Sequence, residues 1–302
     1  MASDTPLLLI AGGDADPNIA ALIAAADRSG VSYQKLLVGK SSHPSFVWDL
    51  TTEQLLLDDQ PVECSAAFVR HDVFTALRDG QHSSAYRALA WHTALTGWLA
   101  AHPEVLIFNR RNLNQVTNKP LVLKLAQECG LAIPQTLVTN ARERLEGVEK
   151  VVKPINGGGY CEPLEEVLER TPFKDGRAAA PAIIQERLVQ PEVRIYAVGD
   201  RYFAFKVISS ELDYRATQNC GVEFGGDAES SHADLTGAFR KLLAKLGLDF
   251  AAADFKTSPE MGQLLFLEVN TGPMFAAFDH ASNGQLCEAM IAHLTENKKG
   301  AA

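Results

Sequence analysis

No apolar run in this chain reaches the roughly 18 residues that a membrane-spanning helix needs. The short LLLI near the N-terminus has no basic stretch before it, so it does not read as a secretory signal. Cysteine is scarce: Cys64, Cys129, Cys161, Cys220 and Cys287 are odd in number and never form a C-x-x-C pair. That argues against a disulfide framework or a cysteine-based zinc site and fits reduced thiols in a cytoplasmic protein. Basic residues are also short, 28 against 37 acidic ones, and the net charge of −9 argues against affinity for nucleic acid or an anionic membrane. Neither a P-loop nor a G-x-G-x-x-G fingerprint is present. In so acidic a chain, any phosphate site must rest on a few locally placed cations.

What is present suits two or three modest domains: 302 residues, 46% apolar and 22% charged. LLLI (7–10), AAFV (66–69) and VLIF (105–108) read as buried strands, and FVWDL (46–50) places Phe46, Trp48 and Leu50 on one face of a half-buried strand. Helical spacing over IAALIAAADRSG, ending at Gly30, and over SSAYRALAWHTALTGWLAA alternates with them. Strands alternating with helices predict an α/β domain on a largely parallel sheet. TNKPLVLKLAQECG (117–130) is a punctuated helix, with an Asn cap, Pro120 in the first turn and Gly130 at its end. Late in the chain come AIIQERL, then EVRIYAVGDRYFAFKVISS turning at Gly199-Asp200, then FAAADFKTSPEMGQLLFLEVN turning at 258–262. These predict an antiparallel sheet with helices on one side. The tail ENKKGAA is expected to be disordered.

The last hairpin is the most informative for chemistry. Alternation puts Phe266, Glu268 and Asn270 on one face, and centring the hairpin on its turn sets Asp254 opposite Glu268. Like charges across strands are destabilising, and a divalent cation between them removes that cost. Two carboxylates and an amide oxygen suit Mg²⁺ or Mn²⁺, whereas a solvated sheet face is the bland alternative. Lys153, at a strand end before Gly157-Gly158-Gly159, is able to hold nucleotide phosphates, although a triple glycine is more often a plain connection. Lys119 reads by itself as a surface residue. Gln185-Glu186-Arg187-Leu188 offers backbone groups to an adenine edge, with Glu192 reaching a ribose hydroxyl; an amphipathic strand and turn is the plainer alternative. Arg194, Lys206 and Arg215 cluster as cations suited to an anionic ligand or to rim ion pairs.

In this order, NKPLVLKLAQECGLAIPQT, VVKPINGGG, IIQERL, EVRIYAVGDRYFAFKVISS, DYR, LGLDFAAADF and LFLEVNTGP resemble the ATP-grasp superfamily over about 117 to 273. The likeness is greatest to ribosomal-protein glutamate ligases (RimK-like) and to the macrocyclases of microviridin-type (graspetide) peptides. The resemblance implies a mixed α/β and α+β fold: a Rossmann-like domain over 1–116, a small lid subdomain over 117–184, an antiparallel subdomain with the metal site over 185–297, and a tail from 298. It implies that Lys119 and Lys153 contact ATP phosphates beneath the glycine loop, with Lys206 added to the nucleotide set. Gln185 to Leu188 would read adenine and Glu192 the ribose. Asp254, Glu268 and Asn270 would hold two Mg²⁺ or Mn²⁺ ions. Arg215, with Lys153, would act in catalysis, and Arg194, Arg215 and Asn219 would meet the substrate. The segment Arg215-Ala216-Thr217-Gln218-Asn219-Cys220-Gly221 departs from the Arg-x-Asn of glutamate ligases, and an apolar stretch follows Asn270, so substrate identity does not carry over.

The activity so implied is ATP-dependent joining of a carboxylate to an amine or hydroxyl through an acyl phosphate, with release of ADP and phosphate. The carboxylate belongs to a small molecule or a peptide, and a peptide macrocyclase is one form of the activity. A catalytically silent ATP-binding scaffold is the rival of another class. No cysteine nucleophile is required, and Cys161 and Cys220 read as buried structural thiols. Dimers and tetramers are common among proteins the chain resembles.

Overall fold

The computed structural model describes residues 8–39, 44–74, 80, 82–113, 118–145, 149–155, 160–209, 211–212 and 220–296. The chain forms two compact units, Met1–Leu113 with Met274–Ala302, and Asn114–Pro273.

The first unit opens with β1 (Leu8–Gly13), α1 (Pro17–Arg28) and β2 (Tyr33–Val38). A small antiparallel sheet follows from β3 (Phe46–Trp48), β4 (Leu55–Leu57) and β5 (Gln60–Pro61), and then come β6 (Ala66–Val69), α2 (His82–Ala101) and β7 (Leu106–Ile107). β1 pairs in parallel with β2 and β6, and β6 with β7, giving the order β2-β1-β6-β7. Leu8, Leu9, Ile10 and Ala11 are all fully buried, as expected of a parallel strand covered on both faces. Leu50 lies beyond β3 and is 72% exposed, so the predicted Phe46/Trp48/Leu50 stripe stops at Trp48.

The second unit begins with α3 (Lys119–Glu128), then β8 (Thr136–Ala141), β9 (Lys150–Lys153), β10 (Glu162–Pro163), α4 (Leu164–Arg170) and β11 (Arg177–Glu186). Its first sheet has the order β10-β9-β11-β8 and is antiparallel. β12 (Val189–Val198) and β13 (Arg201–Ile208) form a hairpin across Gly199, whose φ of 55° is the left-handed value a tight turn requires. β14 (Gly221–Asp227), α5 (Ala228–Ser231), α6 (Ala233–Leu246), β15 (Phe250–Thr257) and β16 (Leu264–Asn270) complete the unit. The second sheet is antiparallel in the order β14-β13-β12-β15-β16. One of its faces is apolar: Val193, Ile195, Ala251, Ala253, Phe255 and Phe266 share a core with α3 and α6. The other face is left for Glu192, Arg194, Asp254 and Lys256.

After Asn270 the chain returns to the first unit through α7 (Ala276–Ala281) and α8 (Gln285–Glu296). The sequence places everything from 185 to 297 in one subdomain; residues from Met274 instead group with the N-terminal unit. Asn18 anchors the return, its Oδ1 accepting from the backbone N–H groups of Phe275 and Ala276 at 2.6 and 2.8 Å.

Candidate active site

A pocket in the second unit is walled by both of its sheets and by the start of α3. Lys119 is the first residue of α3, fixed there by Asn118, whose side chain accepts from Leu121 N–H at 3.0 Å, and by Pro120 in the first turn. Its ammonium lies 3.4 Å from the Glu268 carboxylate. Lys153 ends β9, lines the same pocket and has no ion-pair partner among the described residues.

On the second sheet, Asp254 and Glu268 are direct cross-strand partners, as counting back from the turn predicts. The faces of β16 do not alternate strictly, however. Asp254 pairs with Glu268 but Phe255 pairs with Phe266, so Leu267 is an extra residue on β16, a β-bulge. Leu267 therefore joins Glu268 on the pocket wall, while Phe266, expected on the carboxylate face, is fully buried in the core against Phe255.

Four buried charges form a checkerboard beneath the pocket. Glu192 faces Lys256 across β12 and β15, and Arg194 faces Asp254 one step further along. Arg194 grips Asp254 through both Nε and Nη2, at 2.6 and 2.8 Å, and Asn270 donates to the same carboxylate at 3.0 Å. Lys256 Nζ lies 3.3 Å from Glu192 Oε2. Each partner is less than a tenth exposed, so each charge depends on its neighbour, and removing one side of such a pair costs about 3–5 kcal/mol. Burial above all, then the Asp254 charge, pushes the Glu192 carboxyl above the usual carboxylate range; Lys256 and Arg194 pull it back.

Arg194, expected to meet substrate, is thus a buried counter-ion of Asp254. Lys206 falls outside the site: it is the cross-strand partner of Val193, a core residue, and so projects from the opposite face, where it lies exposed 3.8 Å from Glu223. Gln185 and Leu188 are buried in the pocket wall; Gln185 donates to Thr136 Oγ1 at 2.9 Å while its Oε1 has no partner. Glu186 also lines the pocket, its carboxylate accepting from Gln135 N–H at 2.8 Å. Gly157, Gly158, Gly159, Arg215, Asn219 and the tail from Asn297 lie outside the described residues, whereas Glu296, expected in that tail, ends α8. Cys161 lines the pocket and, like Cys220, is half-buried rather than fully buried. Lys256 and Leu267 were not singled out in the sequence. The signal for Lys256 is its place two residues after Asp254, which puts it on the same face.

The donor set fits a divalent cation in kind. Asp254 and Glu268 set two carboxylates opposite each other on one strand pair, and Asn270 meets Asp254 through its amide nitrogen and keeps its amide oxygen as a third hard donor. Arg194 and Lys119 balance the charge that a metal would otherwise offset. The orphaned Gln185 acceptor and the two lysines fit a nucleotide, which carries amino donors at one end and phosphate oxygens at the other. No helix among the described residues is long and apolar enough to cross a membrane.

No protein-family model and no curated sequence matches the chain. Solved structures do. The ATP-grasp ligase PsnB, complexed with precursor peptide PsnA2 and AMPPNP, is 20% identical over 97% of this chain and 99% of its own, with a TM-score of 0.69. The macrocyclase MdnC from Microcystis aeruginosa MRC, bound with precursor peptide MdnA, is 18% identical over 96% and 99%, also with a TM-score of 0.69. The VanG D-Ala:D-Ser ligase from Enterococcus faecalis is 14% identical over 96% and 99%, with a TM-score of 0.58. The chain has the ATP-grasp fold.

Proposed function

We propose that the protein is an ATP-dependent ligase that activates a carboxylate as an acyl phosphate and joins it to an amine or hydroxyl, releasing ADP and phosphate. The observation that carries this reading is the pairing of Asp254 with Glu268 on the wall of the pocket that Lys119 and Lys153 also line. Bound Mg–ATP would supply the transferable phosphoryl group and the charge compensation for its transfer. The chain's own residues do the rest. Lys119 and Lys153 offer ammonium donors to phosphate oxygens, Asp254, Glu268 and Asn270 hold metal, and Glu192 accepts from the ribose. Gln185 Oε1 and the backbone through Leu188 take the base. Arg215 is assigned to the acyl phosphate and the oxyanion formed on it, and Asn219 and the loop at 157–159 to substrate and to water exclusion. The five cysteines, none of them in a disulfide, fit a reducing compartment such as the cytoplasm.

A peptide acceptor or donor is the finer form of this reading. It is favoured because neighbours solved with precursor peptides align along nearly the whole chain, the N-terminal unit included. ADP formation, assayed over carboxylates and amines with and without peptides, tests both forms. Turnover with small substrates alone supports the general ligase, and turnover only with a peptide supports the macrocyclase form. Nucleotide binding with no ADP formed under any condition marks a silent scaffold instead.

A further inference from the structure

We infer that Lys256 is a positioning residue for the nucleotide, its buried ammonium holding the Glu192 carboxylate against the pocket wall where Glu192 receives the ribose hydroxyls. The inference rests on the reading of the pocket as an ATP site and goes beyond it, since nothing in the ligase pattern assigns a role to this lysine. Lys256 and Glu192 are direct cross-strand partners, both line the pocket, and only 9% of each side chain is exposed. Lys256 Nζ lies 3.3 Å from Glu192 Oε2, and Glu192 itself lines the pocket, within reach of a ligand hydroxyl. The other cation in the checkerboard, Arg194, grips Asp254 through both Nε and Nη2, and its pull on the Glu192 carboxyl ranks below that of Lys256. A long acidic side chain lacking its counter-ion in so dry a place would turn away or draw in water, and the hydroxyl contact would loosen.

Two roles for Lys256 are separable. If it acts through Glu192, its loss matters only for nucleotides that carry ribose hydroxyls. If it touches phosphates directly, every nucleotide suffers alike. The test is calorimetric titration, with Mg²⁺, of ATP and of 2′,3′-dideoxy-ATP into the full chain and its variants. The parent is expected to bind ATP about tenfold more tightly than the dideoxy analogue, the scale of a hydrogen bond to a charged group. Lys256→Met and Glu192→Gln should each weaken ATP to the level of the analogue and leave the analogue unchanged, while Lys256→Arg restores most of the preference. Glu192→Gln combined with Lys256→Met removes both buried charges, guarding against misfolding, and should be no worse than either single change. Equal weakening of both nucleotides by Lys256→Met, additive losses in the double variant, or a parent that binds ATP without preferring it overturns the inference and leaves the ATP site standing. A parent that binds neither nucleotide overturns the ATP reading itself.

Discussion

Single residues set the chemistry and part of the stability. Glu268 is the more exposed of the two carboxylates proposed to hold metal and sits beside Lys119. Glu268→Gln keeps its shape and removes its charge, so ADP formation should fall below detection while circular dichroism stays native. Asp254 differs in being buried under a bidentate arginine. Asp254→Asn strands the Arg194 charge in the sheet, and chemical denaturation should show a loss of about 3–5 kcal/mol. A second titration belongs to the first unit, where the rings of His71 and His92 meet edge-on at 5.4 Å. Burial, and then His71, hold the His92 imidazole below its ordinary value of 6.5. A base depressed in the folded state favours folding above 6.5 and loses that contribution as pH falls through its folded value. Stability should therefore decline on acidification below 6.5, and His92→Gln should flatten that decline in denaturant titrations run across the range.

Elements decide where those residues stand. α3 begins on Lys119 because Asn118 caps it. Asn118→Ala should cost about 1 kcal/mol of stability and also weaken ATP binding, since fraying of the first turn moves the lysine. Equal ATP affinity in this variant would separate the helix start from the site. At this scale the sequence was legible where turn chemistry and a two-residue period coincide. Counting back from the turn at 258–262 is enough to set Asp254 against Glu268. It was illegible where a bulge breaks the period: nothing in LLFLEVN announces that Leu267 is the extra residue, so Phe266 is given the wrong face. Lys206 fails for a related reason. A cation near the motif draws notice, but only the pairing of β12 with β13 reveals that it shares a face with core residue Val193.

At the scale of the molecule, the return of the chain after Asn270 could not be read from local pattern, because α7 and α8 look alike whichever unit they cover. What joins them to the N-terminal unit is tertiary: Asn18 holds the Phe275 and Ala276 backbone, and Phe275 packs edge-on against Phe68. With every assigned nucleotide and metal residue lying within Asn114–Pro273, Mg–ATP should protect that segment selectively from limited proteolysis, with cleavage in 1–113 unchanged. The central claim is that this second unit clamps a magnesium–nucleotide complex between its acidic strand pair and its two lysines. The most direct measurement is calorimetric titration of ATP into the full chain, with and without Mg²⁺, repeated with Lys153→Ala and Glu268→Gln. Saturable ATP uptake that depends on magnesium, weakened by the lysine variant and stripped of its metal dependence in the glutamate variant, is the predicted result. Binding indifferent to magnesium and to both substitutions, or no binding by the folded parent, would contradict the account.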